Sequence, residues 1–143
     1  MATKKKTRRR RRRGYFRGTY VSDKTGQHCV YRSGWELGFM MFLDASPDVV
    51  TFASEPIKIP YVSNLKSRRL RNYVPDFVVE YIDGSTFIIE IKPKKRLDQA
   101  TVKKKLSAAH VYASEHGWYL AVLTEVELKE LGVQMTGFTR DTV

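Results

Sequence analysis

Two runs of alternating apolar residues with a short turn between them dominate the hydrophobic pattern of the chain. The runs cover residues 77–82 and 86–92, and they are rich in the Val, Ile, Phe and Tyr residues that fit pleated, half-buried strands. Asp83 and Gly84 separate them, and Gly84 suits the left-handed position that closes a bulged three-residue loop. The pattern therefore predicts a β-hairpin whose loop is formed by Ile82, Asp83 and Gly84.

The length of that loop decides which side chains share a face. A two-residue loop would place Asp76 and Glu90 on opposite faces, whereas the three-residue loop places them opposite each other on one face, followed by Lys92. The other face is wholly apolar or aromatic, and we expect it to lie against a core helix; its members are Phe77, Val79, Tyr81, Phe87, Ile89 and Ile91. Because like charges opposite one another destabilise a sheet, the acid pair indicates a functional site.

Helical spacing appears on either side of this hairpin. Residues 37–43 follow a Ser33-x-x-Glu36 pattern that is typical of a capping box, and residues 44–47 end that helix. Glu36 therefore has two interpretations, as a capping residue or as an inward-pointing acid that reaches the hairpin. A second helix is predicted from an Asp98 cap to Gly117, with a buried stripe of Val102, Leu106, Ala109 and Ala113.

The remaining segments complete a mixed sheet flanked by helices. Residues 49–52 and 57–61 are predicted strands near a sheet edge, because Pro56 and Pro60 interrupt them. Residues 64–71 are predicted to form a polar, basic loop, residues 118–124 a buried strand, and residues 125–131 a short helix. The predicted order is α-β-β-β-α-β, an α+β arrangement within the broad α/β class.

Charge is concentrated at one end of the chain. The 143 residues carry a formal charge of +11, and nine of these charges belong to the Lys and Arg residues at positions 4–6 and 8–13, where no acid occurs. We expect residues 1–18 to be a flexible basic arm that contacts nucleic acid, and residues 19–143 to form a single domain. A nuclear-localisation-like segment and a solubility tail are the alternative interpretations of the arm.

Other classes of protein are disfavoured by composition. The single cysteine, Cys29, excludes an internal disulfide, and three scattered histidines lack the spacing of a structural zinc site. No apolar run is long enough to span a membrane, and the basic arm lacks the apolar segment of a signal peptide. The sequence therefore favours a cytosolic protein or one packaged with nucleic acid.

The spacing of the charged residues resembles a known enzyme superfamily. Pro75-Asp76 followed by Glu90-Ile91-Lys92, with Glu36 on the preceding helix, is similar to the motif of the PD-(D/E)XK nucleases over roughly residues 30–124. Within that superfamily, residues 31–36 and 73–77 and the Ser54-Glu55 pair resemble the head completion nucleases of contractile-tailed phages. The same residues are also similar to the endonuclease subunit of cut-and-paste bacterial transposons.

This resemblance implies a restriction-endonuclease-like fold and a Mg²⁺-dependent DNA endonuclease, with Mn²⁺ as a substitute ion. Asp76, Glu90 and the carbonyl of Ile91 are expected to bind the ion, Lys92 to assist the attacking water, and Glu36 to hold a second ion or its water. No catalytic role is assigned to Glu55, for which a structural pairing with an arginine such as Arg32 is the alternative interpretation. The residues expected to contact DNA are Arg8, Arg9, Arg10, Arg11, Arg12, Arg13, Arg68, Arg69, Arg71, Lys94 and Lys95.

The partners that the resemblance adds are DNA and the portal, head or neck proteins of a phage particle, with no membrane and no small-molecule cofactor. The expected location is either the host cytoplasm during assembly or the virion. Two alternatives from other classes stay open: a non-catalytic head or neck component that keeps the nuclease fold, and a transposon-end endonuclease that works beside a transposase.

Overall fold

The structure is a computed structural model that describes residues 17–138, and these residues form eight strands and three α-helices. The strands are β1 (Gly18–Val21), β2 (His28–Tyr31), β3 (Val49–Ser54), β4 (Ile59–Asn64), β5 (Arg69–Tyr73), β6 (Phe77–Tyr81), β7 (Thr86–Ile91) and β8 (Tyr119–Leu123). The helices are α1 (Gly34–Ala45), α2 (Ala100–His116) and α3 (Glu125–Glu130), and Lys94–Arg96 forms a single 3₁₀ turn. None of the helices in this range is long and apolar enough to cross a membrane.

A four-stranded mixed sheet in the order β3-β6-β7-β8 forms the centre of the molecule. The pairs β3–β6 and β6–β7 are antiparallel, whereas β8 runs parallel to β7 and reaches it through α2. Helix α1 packs on one face of the sheet, against Phe77 and Val79, and α2 packs on the other, against Ile88. The predicted core order α-β-β-β-α-β is confirmed by α1, β3, β6, β7, α2 and β8.

The β6–β7 hairpin has the predicted register. Phe77 lies opposite Ile89, Val78 opposite Ile88 and Val79 opposite Phe87. The amide of Tyr81 donates to the carbonyl of Ser85 at 2.9 Å, which leaves a three-residue loop that ends at Gly84 with a positive φ of 86°. The apolar face and the face that carries the acids therefore divide as the loop length predicted.

Two further hairpins lie outside the central sheet, and neither was predicted from the sequence. β1 pairs with β2, and β4 pairs with β5, each as a separate two-stranded sheet. Residues 64–71, predicted to be a loop, contain the end of β4, a tight turn and most of β5. The prediction was wrong because main-chain pairing with β4 supports a strand whose own side chains are mostly exposed.

Smaller differences concern the second helix and the last strand. The cap of α2 is Gln99 rather than Asp98, and it makes no side-chain capping hydrogen bond. Gly117 ends α2 in the left-handed conformation, as expected, with φ of 68°. Strand β8 is half-buried rather than buried because it is the edge strand of the sheet, with a neighbour on one side.

Candidate active site

A cleft of about 540 Å³ opens between the N-terminus of α1, the paired strands β6 and β7, and the segment after α3. Five residues that the sequence predicted as site residues line it together: Glu36, Asp76, Glu90, Ile91 and Lys92. The remaining lining residues come from the start of α1, the segment after β7 and the C-terminal part of the described chain: Ser33, Gly34, Trp35, Pro93, Arg96, Met135, Thr136, Gly137 and Phe138.

Asp76 and Glu90 lie opposite each other, one residue beyond the last pair of the β6–β7 ladder. The amide of Asp76 donates to Oε2 of Glu90 at 3.2 Å, and the amide of Ile91 donates to Oδ2 of Asp76 at 2.8 Å. Each carboxylate is thus fixed by the backbone that carries the other. Within the described part of the chain, Oδ1 of Asp76 accepts no hydrogen bond, so one oxygen of this acid remains available to a ligand.

Two side chains complete the surroundings of Glu90, which is 5% exposed. The hydroxyl of Tyr73, at the end of β5, donates to Oε2 of Glu90 at 2.6 Å. The ammonium of Lys92 lies 3.4 Å from Oε1 of the same carboxylate. The tyrosine and the lysine therefore hold different oxygens of Glu90, and the lysine is on the same strand face as the two acids.

The electrostatics of the cleft disfavour full ionisation of its acids. Burial raises the pKa of Asp76 well above its usual range, and the charges of Glu90 and Glu36 raise it further. The hydrogen bond from Ile91 and the charge of Lys92 oppose this shift only in part. Burial also raises the pKa of Tyr73, and the adjacent Glu90 carboxylate adds to that rise, so the hydroxyl remains a proton donor to Glu90.

Glu36 lines the cleft and follows a Ser33 cap, but its carboxylate accepts from the amide of Arg32 rather than from that of the cap residue, so the predicted capping box is not formed. Its amide donates to the hydroxyl of Ser33 at 3.2 Å, so Ser33 caps α1. Its carboxylate accepts from the amide of Arg32 at 2.9 Å and lines the cleft. Burial raises the pKa of Glu36. The hydrogen bond from the Arg32 amide opposes the rise, and the negative charges of Glu55 and Glu90 add to it.

Glu55 lies at the rim of this arrangement and makes the structural pairing that the sequence allowed. Its carboxylate pairs with the guanidinium of Arg32 at 3.0 Å. Its amide donates to the carbonyl of Asp76 at 2.9 Å, from a backbone with φ of 49°. A left-handed conformation at a residue other than glycine costs energy, and here it joins the end of β3 to the backbone of Asp76.

The basic residues predicted to contact DNA fall in three places. Arg68 lies in the β4–β5 turn, Arg69 and Arg71 lie on β5, and all three are exposed. Lys94 and Lys95 are exposed in the 3₁₀ turn directly after β7. The six arginines at positions 8–13 lie outside the described residues.

Sequence reasoning gave no role to several residues that line the cleft or contact its acids. Tyr73 contributed only to the resemblance, although parity along β5 and its nearness to Asp76 could have suggested an inward side chain. Arg96 lines the cleft in place of the neighbouring lysines. Residues 135–138 form one wall, and no periodic pattern in that segment could have indicated this.

The donor set of the cleft decides whether a divalent ion could bind there. Among residues 17–138, no three side chains of His, Cys, Asp or Glu are grouped closely enough to hold a metal ion by themselves. Mg²⁺ usually binds through one or two carboxylates and keeps several waters, so the pair Asp76 and Glu90 meets its needs without a third acid. Burial is the main cause of the raised pKa of Asp76, and repulsion from Glu90 and Glu36 adds to it; a bound cation would relieve that repulsion. The residues present therefore fit such an ion.

A mixed sheet between two helices, with Pro75-Asp76 opposite Glu90-Ile91-Lys92 at the end of a hairpin, defines a PD-(D/E)XK-like nuclease. Comparison with protein families matches residues 46–125 to the family described as TnsA-like endonuclease N terminal. The head completion nuclease of Enterobacteria phage T4 is 33% identical over 125 residues, which cover 72% of this chain and 83% of that relative. This protein belongs to the family of TnsA-like endonucleases, and it is similar to a phage head completion nuclease.

Proposed function

We propose that this protein is a divalent-metal-dependent DNA endonuclease, with Mg²⁺ as the ion and Mn²⁺ as its substitute. Asp76, Glu90 and the carbonyl of Ile91 bind the ion, and Glu36 holds a second ion or its water. One observation carries the proposal: the partly buried Asp76 and the buried Glu90 lie opposite each other at the end of the β6–β7 hairpin, with a lysine beside Glu90, in an open cleft. A sheet that needed only stability would not keep this arrangement.

A bound divalent cation would offset the negative charge that develops on a phosphodiester during hydrolysis and would lower the pKa of a coordinated water. The side chains of the chain itself supply orientation and charge. Lys92, 3.4 Å from Glu90, positions the attacking water and offsets charge on the phosphate. Tyr73 fixes one oxygen of Glu90 so that the other faces Lys92 and the cleft.

DNA is held by basic residues outside the acid pair. Arg68, Arg69, Arg71, Lys94 and Lys95 contact phosphates near the cleft, and the arginines at positions 8–13 add a sequence-independent contact. Each neutralised phosphate contributes about −0.9 to the slope of log affinity against log salt. Deleting residues 1–13 should therefore reduce that slope by several units and leave the core folded, whereas an unchanged slope would assign the arm to another task.

The biological setting proposed is completion of a phage head, in the host cytoplasm during assembly or within the virion, beside portal, head or neck proteins. The extent of the similarity to the phage T4 protein supports this setting. The family match supports a second candidate, a transposon-end endonuclease. The two differ in whether purified protein cuts DNA alone or needs a transposase.

The decisive experiment incubates purified protein with supercoiled, linear and branched DNA in the presence and absence of Mg²⁺. We expect metal-dependent cleavage by the wild type and none by Asp76→Ala. Glu80→Ala is the matched control, because Glu80 is an exposed acid on β6, four residues after Asp76, and it should cleave as the wild type does. Absence of cleavage on all three substrates would reject an endonuclease that acts alone. It would leave the non-catalytic head or neck component and the transposon-end endonuclease that needs a transposase.

A further inference from the structure

The hairpin formed by β4 and β5 carries basic side chains and no acidic ones. We name residues 59–73 the basic ribbon; the segment contains four cations, Lys66, Arg68, Arg69 and Arg71, and no acid. Its two strands pair only with each other and not with the central sheet. A two-stranded ribbon of one charge sign has no partner of opposite sign within itself, so its surface is suited to a polyanion.

The two faces of the basic ribbon differ. Ile59, Tyr61 and Tyr73 are buried on one face, in the apolar cluster that includes Ala109 and Ala113 of α2. On the opposite face Val62 pairs directly with Leu70, and these side chains are 38% and 68% exposed. Leu65, in the turn, is 79% exposed. The side of the ribbon that faces solvent is thus apolar in its middle and at its tip, with cations in the turn. Arg69 and Arg71 alternate with Leu70 and start from the other face, where Arg71 pairs with Tyr61, but both side chains are exposed and lie on the strand that has no neighbour on its outer side.

We infer that the basic ribbon enters a groove of duplex DNA, with Leu65 and Leu70 against the bases and its cations on the phosphates. This inference deepens the proposed nuclease function and rests on DNA being its substrate. A two-stranded β-ribbon fits a DNA groove, and apolar side chains that contact or part base steps are typically flanked by Arg and Lys. A protein partner is less suited, because it would have to supply acids around a small apolar patch.

The basic ribbon is also directly linked to the candidate active site. Tyr73, its last residue, donates to Glu90 at 2.6 Å, and Asp76 follows three residues later. β5 has five residues and therefore spans roughly 17 Å at about 3.3 Å per residue. DNA that lies along the ribbon would thus contact Leu65 roughly five base pairs from the cleft, at about 3.4 Å per base pair.

The test measures affinity for a labelled duplex at several salt concentrations without divalent ions, so that no cleavage occurs. The double variant Leu65→Ser/Leu70→Ser should bind about tenfold more weakly, because two apolar contacts are lost. Its salt slope should remain that of the wild type. Arg69→Ala and Arg71→Ala should each reduce the slope by about 0.9. Ile82→Ser is the matched control, since Ile82 is 66% exposed but lies in the β6–β7 turn.

Equal affinity of the leucine double variant and the wild type for DNA would overturn the inference. It would also be overturned if the wild type were a dimer and the double variant a monomer, because the leucines would then form a protein interface.

A second measurement maps the contact between the ribbon and DNA. Cys29 is 1% exposed, so a photo-crosslinker on Leu65→Cys labels one site. The crosslink should fall within about six base pairs of the cut in DNA. Because binding is measured without metal, a protein that binds as described but never cleaves would refute the nuclease proposal and not the ribbon.

Discussion

Helix α1 has a carboxylate site at each of its ends, and the two sites differ in how the acids are satisfied. At the N-terminal end, Glu36 faces the cleft that contains Asp76 and Glu90. At the C-terminal end, Asp44 accepts hydrogen bonds from the hydroxyls of Tyr20 and Ser22 and from the amides of Asp23 and Lys24. Three acids lie together at the first site, whereas at the second site a single acid is surrounded by hydrogen-bond donors.

The pKa shifts at the two ends have opposite signs. Burial alone would raise the pKa of Asp44, but the hydrogen bonds from Ser22, Tyr20 and the two amides outweigh it and lower the pKa. In the cleft, burial raises the pKa of Asp76 and of Glu36, and neighbouring acids add to the rise. The helix macrodipole would favour a negative charge at the N-terminus and disfavour one at the C-terminus. Local donors and burial therefore outweigh the dipole at both ends.

This difference separates a carboxylate that holds the fold together from carboxylates that we propose bind a divalent ion. Asp44 ties the β1–β2 hairpin to α1, and its oxygens are occupied. Asp76 keeps an oxygen without a donor in the described part of the chain and carries a raised pKa. An acid in a cleft whose pKa is raised by desolvation and by neighbouring charges is a common mark of a functional site.

The largest expected effect comes from Asp76→Asn. Cleavage should fall by about 10³-fold or more, because the loss of a ligand charge removes several kcal/mol of stabilisation. In the absence of metal the variant should melt at or above the temperature of the wild type, since the substitution removes repulsion along with the ligand. Millimolar Mg²⁺ should raise the melting temperature of the wild type and change that of the variant little. Identical responses of the two proteins would mean that the acids bind no metal.

Lys92→Ala should reduce cleavage by about 10²-fold or more, because it removes a group that assists proton transfer or offsets the charge on the phosphate. Lysine is no metal ligand, so the variant should keep the stabilisation by divalent ions, about 2.7 kcal/mol with the ion at a hundred times its Kd. Thermal unfolding with and without Mg²⁺ and a cleavage assay measure the two properties. Lys103→Ala, an exposed lysine on α2 to which no DNA contact is assigned, is the control. Loss of the metal response in Lys92→Ala would show that the lysine shapes the metal site itself.

Tyr73→Phe removes the hydroxyl that donates to Glu90 and keeps the ring that is buried in the core. Oxygen Oε2 of Glu90 then loses its side-chain donor, and we expect about tenfold weaker binding of Mg²⁺, as is typical when a partner of a metal ligand is lost. Calorimetric titration with Mg²⁺ measures the affinity. An unchanged affinity would restrict Tyr73 to a packing role.

The smallest expected effect comes from the acid at the C-terminal end of α1. Asp44→Asn should lower the free energy of unfolding by roughly 1–3 kcal/mol at neutral pH, because charge-assisted hydrogen bonds become neutral. The folded-state pKa of Asp44 is lowered, so the ionised acid stabilises the protein above the unfolded pKa of about 3.9. That contribution is lost as the pH falls through the folded-state pKa, and the two proteins should converge in acid. Melting temperatures across the pH range measure this, and a variant at least as stable as the wild type at neutral pH would remove the contrast between the two sites.

The sequence predicted the parts of the fold that depend on local chemistry. Gly84 at the end of a three-residue loop set the register of β6 and β7, and that register brought Asp76 opposite Glu90. Ser33 and Gly117 marked the start of one helix and the end of another. Each of these signals involves residues within a few positions of each other, so tertiary contacts had little power to change them.

Features that depend on distant contacts were missed. The pattern predicted a loop within the basic ribbon because cations interrupt the alternation of β5, which is stabilised by pairing with β4. The hydrogen bond between Tyr73 and Glu90 joins residues seventeen positions apart. The cleft wall at residues 135–138 has no regular pattern and is placed by its packing across α1. Neither the Tyr73–Glu90 hydrogen bond nor the packing of residues 135–138 is encoded in a local motif.

Gly38 is a sequence marker for the packing of the cleft wall, residues 135–138, across α1. It lies half a turn beyond Glu36 on α1, and a Cβ atom there would come within 1.7 Å of the backbone oxygen of Gln134. Backbone cannot move aside as a flexible side chain can, so alanine at this position would displace the segment that leads into the cleft wall. In an alignment, a chain that keeps the acid at the position of Glu36 but has a larger residue two positions later should lack this wall. Such a chain would have a wider cleft, and the identity of one residue would be enough to indicate it.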